Sequence, residues 1–425
     1  MSNIKKNVIK IASGSLISQI LIFAMTPVLS RVFEPEVLGA YAIFTTLYAL
    51  LAGVSTLRYE LSIPSPRVDR KAWELTVLTI YSAISFSLLV FVIISVMLFI
   101  FKIAIPKYFL FIPLGIFILS FQVVCQQWSA RRRSYNRYSI ALFVNAISNI
   151  GLVLISIYLG YKNVEILIFG FLSGLIASTI YLLLDPKFNY RALLKYIFIF
   201  SNFRHLFSTI KKNIEYPKYM LPTFLLASAA TSAPLLIIGL LKGHADVGFF
   251  SIASRFLMIP GIIIGSAISE AIRAEMFNRY HLKRMIYTIV RQILLWGGIA
   301  CILFIIVIAI MGDKILIFVL GDKFSPAVNM VVPLSIATCF ALLIQPLQSL
   351  FIVLKKQKLN FIAQMMLGII PNLALLVFCI ANFGLNEIMW AYSIIYALAA
   401  MIIILMLRSI AKQHDHKTRW EIDVK

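Results

Sequence analysis

Charged residues are scarce in this chain. Only 13% of its 425 residues are charged, while 61% are hydrophobic, and the mean hydropathy is +0.93. A soluble domain carries roughly 25% charged residues. Because one core surrounded by water cannot bury so much apolar surface, lipid must solvate most of it. The composition therefore excludes a soluble protein and predicts an integral membrane protein.

The usual signatures of an enzyme are also missing. The Gly-Lys dipeptide of a Walker A loop never occurs, which argues against nucleotide hydrolysis. The four cysteines lie inside apolar runs without metal-ligand spacing, so we interpret them as small buried hydrophobic residues. The five histidines fall in loops or in the tail, without an accompanying carboxylate cluster. We expect no catalytic residue, no metal site and no cofactor.

Long apolar runs contain most of the hydrophobic residues. A helix rises about 1.5 Å per residue, so about 20 residues cross a hydrocarbon core of about 30 Å. Since unpaired backbone groups are not tolerated in lipid, each run is predicted to be a helix. The twelve predicted spans are 11–31, 37–57, 75–101, 108–128, 139–160, 164–184, 219–241, 247–269, 286–311, 327–354, 361–381 and 386–407.

Lysine and arginine are distributed unequally between the two sets of loops. If the N-terminus is cytoplasmic, the cytoplasmic segments hold 31 of the 39 basic residues and the opposite segments hold 7. Because cytoplasmic loops carry the excess of positive charge, we predict that both termini are cytoplasmic. The net charge of +22 is then a topology signal rather than a nucleic-acid surface. The longest opposite segment, Gly312 to Pro326, is a loop too short to carry a catalytic domain.

The longest segment between spans, Asp185 to Pro217, separates six spans from six. It divides the chain into an N-terminal lobe (1–184), a linker (185–217), a C-terminal lobe (218–407) and a solvated cytoplasmic tail (408–425). The linker mixes apolar and basic residues, as an amphipathic helix on an anionic leaflet does. A simple tether between the halves fits the same pattern, and both interpretations stay open.

An internal repeat supports the division into halves. The matched residues are Pro27, Gly39 and Gly53 in the first half and Pro234, Gly248 and Gly261 in the second. Their successive spacings are 12 and 14 residues in the first half and 14 and 13 in the second. Both copies are predicted to begin on the same side of the membrane, so the repeats are parallel. Such pairs are a common basis for transporters that rock around a central site.

Arg255 is the charged residue placed deepest in a predicted span. It lies on the order of 12 Å inside the eighth span at the rise of a helix. That depth is too great for easy snorkelling, so we expect its side chain to face a partner, water or an anionic ligand. Its planar guanidinium group suits a phosphate.

Six further charged residues lie near span ends: Arg31, Arg58, Lys218, Arg291, Glu60 and Glu270. For the four basic residues, snorkelling to the interface and a role on the substrate path are both open. The two carboxylates follow the second and eighth spans. Each is either half of an interface ion pair or a titrating group in proton coupling.

Several stretches resemble one family of membrane proteins. In the first half they are Ser18-Gln19, Pro27-Val-Leu-Ser-Arg31, Glu34-Pro35-Glu36, Leu38-Gly39-Ala-Tyr41 and Arg58-Tyr59-Glu60-Leu-Ser-Ile63-Pro64. In the second half they are Tyr216-Pro217-Lys218-Tyr219-Met-Leu-Pro222, Val247-Gly248-Phe-Phe-Ser251-Ile-Ala253-Ser-Arg255 and Phe318-Val-Leu-Gly321-Asp322. Their order and spacing resemble the oligosaccharide flippases, the polysaccharide-transport branch of the multidrug/oligosaccharidyl-lipid/polysaccharide exporter superfamily.

The resemblance implies an all-α fold in which two six-helix lobes surround a central, often cationic, cavity. It also implies alternating access and a polyprenyl-pyrophosphate-linked oligosaccharide as cargo. Positive charge in the cavity matches a pyrophosphate, which makes Arg255 and Arg31 the leading candidates. The cargo is expected to be an O-antigen or capsule repeat unit, moved to the periplasmic leaflet of a bacterial inner membrane. Membrane lipids and a polysaccharide polymerase or chain-length protein are the expected partners.

Two other functions stay open. An ion-coupled multidrug exporter of the same superfamily predicts a carboxylate deep in the first lobe, and the spans 75–101, 108–128 and 139–160 contain none. The same scarcity of acidic residues weakens any specific scheme of proton coupling. A non-transporting scaffold of the glycan-assembly machinery leaves the charges within the spans without a role.

Overall fold

The computed structural model describes residues 17–66, 68–103, 105–132, 134–185, 188–200, 203–260, 266–354 and 356–423, and all regular secondary structure in these ranges is helical. The helices of the first half are α1 (Ile17–Val32), α2 (Pro35–Ser55), α3 (Asp69–Ile100), α4 (Lys107–Arg131), α5 (Asn136–Tyr158), α6 (Val164–Leu183), α7 (Tyr190–Phe200) and α8 (Phe203–Lys212). Those of the second half are α9 (Tyr216–Leu241), α10 (His244–Pro260), α11 (Ser266–His281), α12 (Tyr287–Leu320), α13 (Asp322–Phe351), α14 (Lys358–Ile380) and α15 (Leu385–Asp423).

The helices confirm an all-α membrane fold. In the described ranges ten helices are long and apolar enough to cross a membrane, and each of the ten matches one predicted span. The first predicted span corresponds to the shorter apolar helix α1, since its first residues lie outside the described ranges. The eighth, 247–269, begins on α10 and ends on α11, and residues 261–265 between these helices are likewise outside.

The prediction of a loop from Gly312 to Pro326 is wrong for the first part of this segment. Helix α12 continues through Gly312 to Leu320. Asp313 and Lys314 interrupt the hydropathy of the run, but both stay on the exposed side of a helix that is apolar again beyond them. The helix ends at Gly321, whose φ of 85° is a conformation that glycine adopts without steric cost.

Two compact units make up the described chain. The first contains the residues up to Met25 and Ala40–Ser228, and the second contains Thr26–Gly39 and the chain from Ala229 onward. The end of α1 and the beginning of α2 therefore pack with the second unit. The lobes drawn at 1–184 and 218–407 follow the repeat in the sequence, not the packing, and they stay a prediction.

The core of the first unit includes a cluster of aromatic side chains on α3 and α4. The rings of Trp73 and Trp128 are 4.2 Å apart, and Phe188 meets Trp73 edge-on at 5.5 Å. The buried indole N–H of Trp128 donates a hydrogen bond to the Thr76 hydroxyl at 2.9 Å, so burial leaves no polar atom of the ring unpaired. The linker joins this cluster through the buried Leu193 of α7.

The second unit is built around α15, which packs along α13 and α14. Its core joins residues from five helices, with Met276, Val290, Phe351, Ala363 and Leu407 all fully buried. Helix α10 packs on α13 through its buried face, which includes Ala253 and Leu257. Because one face of α10 packs on α13, the residues of its other face point away from this core.

Candidate functional site

Arg255 lies on the face of α10 that does not join the core. Its neighbours Ala253 and Leu257 are fully buried, whereas Arg255 is exposed. It follows His244 by about three turns, or about 16 Å at the rise of a helix. No hydrogen bond or ion pair joins its guanidinium group to any residue in the described ranges. An exposed charge within a predicted span, without a partner among the described residues, requires water or an anion beside it.

Arg31 has a defined partner. Its Nη2 donates a hydrogen bond to the backbone carbonyl oxygen of Phe318 at 2.6 Å. That carbonyl belongs to the last turn of α12, where carbonyl groups lack partners within the helix and a positive charge is favourable. The contact therefore caps the C-terminus of α12. Next to it, Lys323 and Glu34 form an ion pair of 2.6 Å.

Helices α2 and α10 cross in backbone contact at two glycines. A Cβ atom added at Gly39 would overlap the carbonyl oxygen of His244, and one added at Gly248 would overlap the carbonyl oxygen of Pro35. The contact is reciprocal, because each glycine meets the residue four positions before the other. Only glycine permits so close an approach of two helices. Gly39 and Gly248 are also matched residues of the predicted repeat.

The glycine contact separates the two leading arginines. Arg31 precedes Pro35 and reaches the end of α12, whereas Arg255 lies about two turns beyond Gly248, about 10 Å farther along α10. The structure thus places them at different levels of the second unit and does not bring them together.

Arg58 and Glu60 form a compact pair just after α2. Arg58 Nη1 donates to Glu60 Oε1 at 3.2 Å, and the guanidinium carbon lies 3.6 Å from the ring centre of Phe224 on α9. Leu57 and Arg58 have φ values of 49° and 64°, a left-handed conformation that costs non-glycine residues on the order of 1–3 kcal/mol each. This turn directs Arg58 onto its two partners.

Glu60 is only partly satisfied. The residue is 4% exposed, and its Oε2 is buried without a hydrogen-bond partner among the described residues. A buried carboxylate oxygen without a partner is costly. The ion pair with Arg58 is present, and the alternative role of Glu60 in proton coupling stays a prediction.

Lys218 belongs to a turn that contacts the segment of this pair. It belongs to a π-helical turn, Tyr216–Met220, which begins α9, and its side chain is exposed with Nζ 5.3 Å from the ring centre of Tyr219. The ring of Tyr216 in the same turn lies 6.5 Å from that of Tyr59. The structure therefore brings Arg58, Glu60 and the turn of Lys218 into one region of the first unit.

Two candidates remain, Arg291 and Glu270. Arg291 is exposed in the first turns of α12 and has no hydrogen bond or ion pair with a described residue. The side chain of Glu270 lies outside the described part of the structure. Within that part, no group of three or more His, Cys, Asp and Glu side chains is arranged to hold a metal ion.

The tail predicted to be solvated is in fact folded as far as the structure describes it. Helix α15 continues to Asp423, and Asp415 is 8% exposed. Its carboxylate accepts hydrogen bonds from the backbone N–H groups of Ile286 at 2.8 Å and Tyr287 at 3.0 Å, at the beginning of α12. Sequence reasoning missed this contact because no local signal links Asp415 to a helix start so distant in the chain.

Comparison with known proteins shows which family the chain belongs to. A sequence profile described as "Polysaccharide biosynthesis protein" matches residues 4–273, more than half of the chain. The chain belongs to the polysaccharide biosynthesis protein family. No curated protein sequence matches it significantly.

Solved structures share the fold over nearly the whole chain. An inward-facing multidrug resistance MATE family transporter of the MOP superfamily aligns with a TM-score of 0.68 and 16% identity, over 94% of this chain and 96% of that one. The lipid II flippase MurJ, in an inward closed conformation, aligns with a TM-score of 0.67 and 13% identity, over 98% and 92%. A MOP superfamily transporter from Pyrococcus furiosus gives 0.55 and 14%, over 96% of each chain. The resemblance recognised in the sequence is thereby confirmed for the family and for the fold.

Proposed function

We propose that this protein moves a polyprenyl-pyrophosphate-linked oligosaccharide from the cytoplasmic to the periplasmic leaflet of a bacterial inner membrane. The movement follows alternating access and supplies repeat units for a surface polysaccharide, either O-antigen or capsule. Both termini are cytoplasmic in this proposal, as the distribution of basic residues predicts. A polysaccharide polymerase or chain-length protein is the expected user of the flipped product.

The observation that carries the proposal is the state of Arg255. Within the predicted eighth span, an exposed guanidinium group that has no partner among the described residues needs an anion or water. A pyrophosphate supplies several oxygen acceptors for the planar fork of an arginine. The family description, polysaccharide biosynthesis, supports the proposal of a pyrophosphate-linked oligosaccharide as cargo.

The observations support the other basic candidates for the substrate path to different degrees. Arg58 and Lys218 lie in one region near the predicted cytoplasmic ends of α2 and α9, where a charged headgroup would enter. Arg291 is exposed and unpaired within the described ranges. Arg31 has the weakest support, because its hydrogen bond to Phe318 already gives it a structural role.

A multidrug exporter is the main alternative, since one structure of similar fold is described as a multidrug resistance transporter. The experiment that separates the two uses the purified protein in liposomes. One assay follows a fluorescent polyprenyl-pyrophosphate oligosaccharide by its accessibility to a quencher outside the vesicle, and a parallel assay follows a fluorescent organic cation.

We expect the protein to make the pyrophosphate lipid accessible from both leaflets and to leave the cation where it is. An unlabelled pyrophosphate lipid should compete, whereas a neutral polyprenol should not. Transport of the cation alone would establish the exporter. Transport of neither substrate by folded protein would favour a scaffold.

Glu60 is the proposed coupling carboxylate, with a purely structural ion pair as the alternative. Glu60→Gln removes the carboxylate and keeps the size of the side chain. If Glu60 couples transport to protons, the variant should flip the lipid at a rate that no longer depends on an imposed pH gradient. An unchanged gradient dependence, together with a lower thermal stability, would assign Glu60 to the ion pair with Arg58.

A further inference from the structure

The linker helix α7 has one face that packs on the first unit. Leu193 is 8% exposed and belongs to the same cluster as Trp73 and Trp128, with Tyr196 and Ile197 packed against it. The hydroxyl of Tyr81 on α3 donates to the carbonyl oxygen of Ile197 at 3.5 Å. Helix α7 is therefore fixed to the side of α3 and is not a free tether.

The position of this contact along α3 sets the depth of α7. The apolar run of α3 begins near Leu75, and Tyr81 follows it by about 9 Å at the rise of a helix. Helices that lie in a membrane interface bury their apolar face about 5–10 Å into the boundary between headgroups and acyl chains. Helix α7 thus packs beside α3 near the beginning of its apolar run, where the sequence predicts the interface.

The opposite face of α7 carries a stripe of exposed side chains. Arg191, Leu194, Lys195 and Phe198 are all exposed, and their spacing of three and four residues places them on one side of the helix. Leu194 is 56% exposed and Phe198 is 75% exposed. Large apolar side chains and cations thus alternate on the exposed face of α7.

The following helix, α8, repeats the pattern. Phe207 is 63% exposed, and Lys211, one turn later, is exposed beside Lys212. Neither aspartate nor glutamate occurs between Phe188 and Lys212. A face that only joined two halves of a protein in water would need neither the apolar side chains nor a single sign of charge.

We infer that the outer faces of α7 and α8 form a binding surface for anionic phospholipid headgroups. In this arrangement Leu194, Phe198 and Phe207 enter the acyl boundary, while Lys195, Lys211 and Lys212 pair with lipid phosphates. Charge complementarity selects the anionic lipid, because basic residues at an interface are attracted to a negatively charged leaflet. The surface binds bulk lipid and does not depend on which cargo the protein carries.

A fluorescent probe on α8 tests this inference in the full-length protein. Ser208 is exposed between Phe207 and Lys211, so Ser208→Cys labelled with an environment-sensitive dye reports on the surface without removing one of its residues. The labelled protein is measured in nanodiscs of phosphatidylcholine alone and of phosphatidylcholine with phosphatidylglycerol. The parent protein treated with the same dye gives the background from dye attached at the native cysteines.

We expect the emission to shift to shorter wavelength when phosphatidylglycerol is present, and added salt should reverse part of the shift. The combined variant Lys195→Gln, Lys211→Gln, Lys212→Gln should lose most of the shift. A matched control, Lys102→Gln, Lys107→Gln, Lys162→Gln, removes the same charge from exposed positions elsewhere in the first unit and should keep it.

Two results would overturn the inference. In the first, the dye emits at the same wavelength in both lipid mixtures, shorter than in water and unchanged by the linker substitutions. That result would mean that α8 meets the membrane without recognising anionic headgroups. A probe that stays in a water-like environment in both mixtures would mean that α7 and α8 do not bind the membrane surface.

Discussion

Arg31 and Arg255 lie in the first helix pair of each predicted half, and their surroundings differ. Arg31 donates a hydrogen bond of 2.6 Å to the end of α12, beside the ion pair of Lys323 and Glu34. Arg255 is exposed and has no partner in the described ranges. The same residue type thus has a protein partner at one level and none among the described residues at the other. The two arginines carry the same charge, and they differ in whether the guanidinium group has a hydrogen-bond partner among the described residues.

The glycine contact between these arginines should give the largest loss of stability. Gly248→Ala places a Cβ atom onto the carbonyl oxygen of Pro35, and a backbone atom cannot move aside as a flexible side chain does. We expect a loss of about 1–3 kcal/mol or more, the usual range for overpacking. Thermal unfolding of the purified variant measures this loss of stability. The readout is the fraction of protein that stays monodisperse as the temperature rises.

The matched control is Gly151→Ala on α5, where an added Cβ would meet no atom within 4 Å. That variant should be as stable as the parent or slightly more stable, since alanine favours a helix. Equal stability of the two variants would mean that α2 and α10 do not cross as closely as described.

Replacing Arg31 should have a smaller effect, and mainly on stability. Arg31→Ala removes one charged donor from the end of α12, worth on the order of 1 kcal/mol at an exposed position. The flipping rate per folded molecule should stay near that of the parent. A loss of flipping with unchanged stability would return Arg31 to the substrate path and remove the contrast with Arg255.

The ion pair of Glu34 and Lys323 should have the smallest effect. Its side chains are 59% and 44% exposed, and pairs of this kind contribute about 0.2–1 kcal/mol. A double-mutant cycle with Glu34→Gln and Lys323→Gln measures the coupling, which should fall further in high salt. A coupling well above that range would show that this end of the second unit is held mainly by charge.

Hydropathy predicted the spans well because lipid imposes a strong and local constraint on the sequence. Ten long helices lie where the apolar runs predict them. The role of Arg255 rests on its predicted depth and stays a prediction. The end of α12 was misplaced because Asp313 and Lys314 lower the local hydropathy without ending the helix.

The partners of the charged residues could not be predicted in the same way. The hydrogen bond from Arg31 to Phe318 and those from Ile286 and Tyr287 to Asp415 join residues far apart in the chain. They depend on how helices pack, which no local pattern records. The glycine contact did leave a signal, since Gly39 and Gly248 are matched in the repeat, although spacing alone did not indicate that the two helices touch.

The central claim, that Arg255 meets the pyrophosphate of the cargo, is tested most directly by lipid flipping with reconstituted Arg255→Ala. Lys314→Ala, which removes an exposed cation outside the candidate set, is the matched control. We expect Arg255→Ala to fold normally and to flip at least about tenfold more slowly, a change of about 1.4 kcal/mol. Arg255→Lys should also be impaired, because an ammonium group lacks the planar fork. Flipping at the parental rate by folded Arg255→Ala would contradict the account.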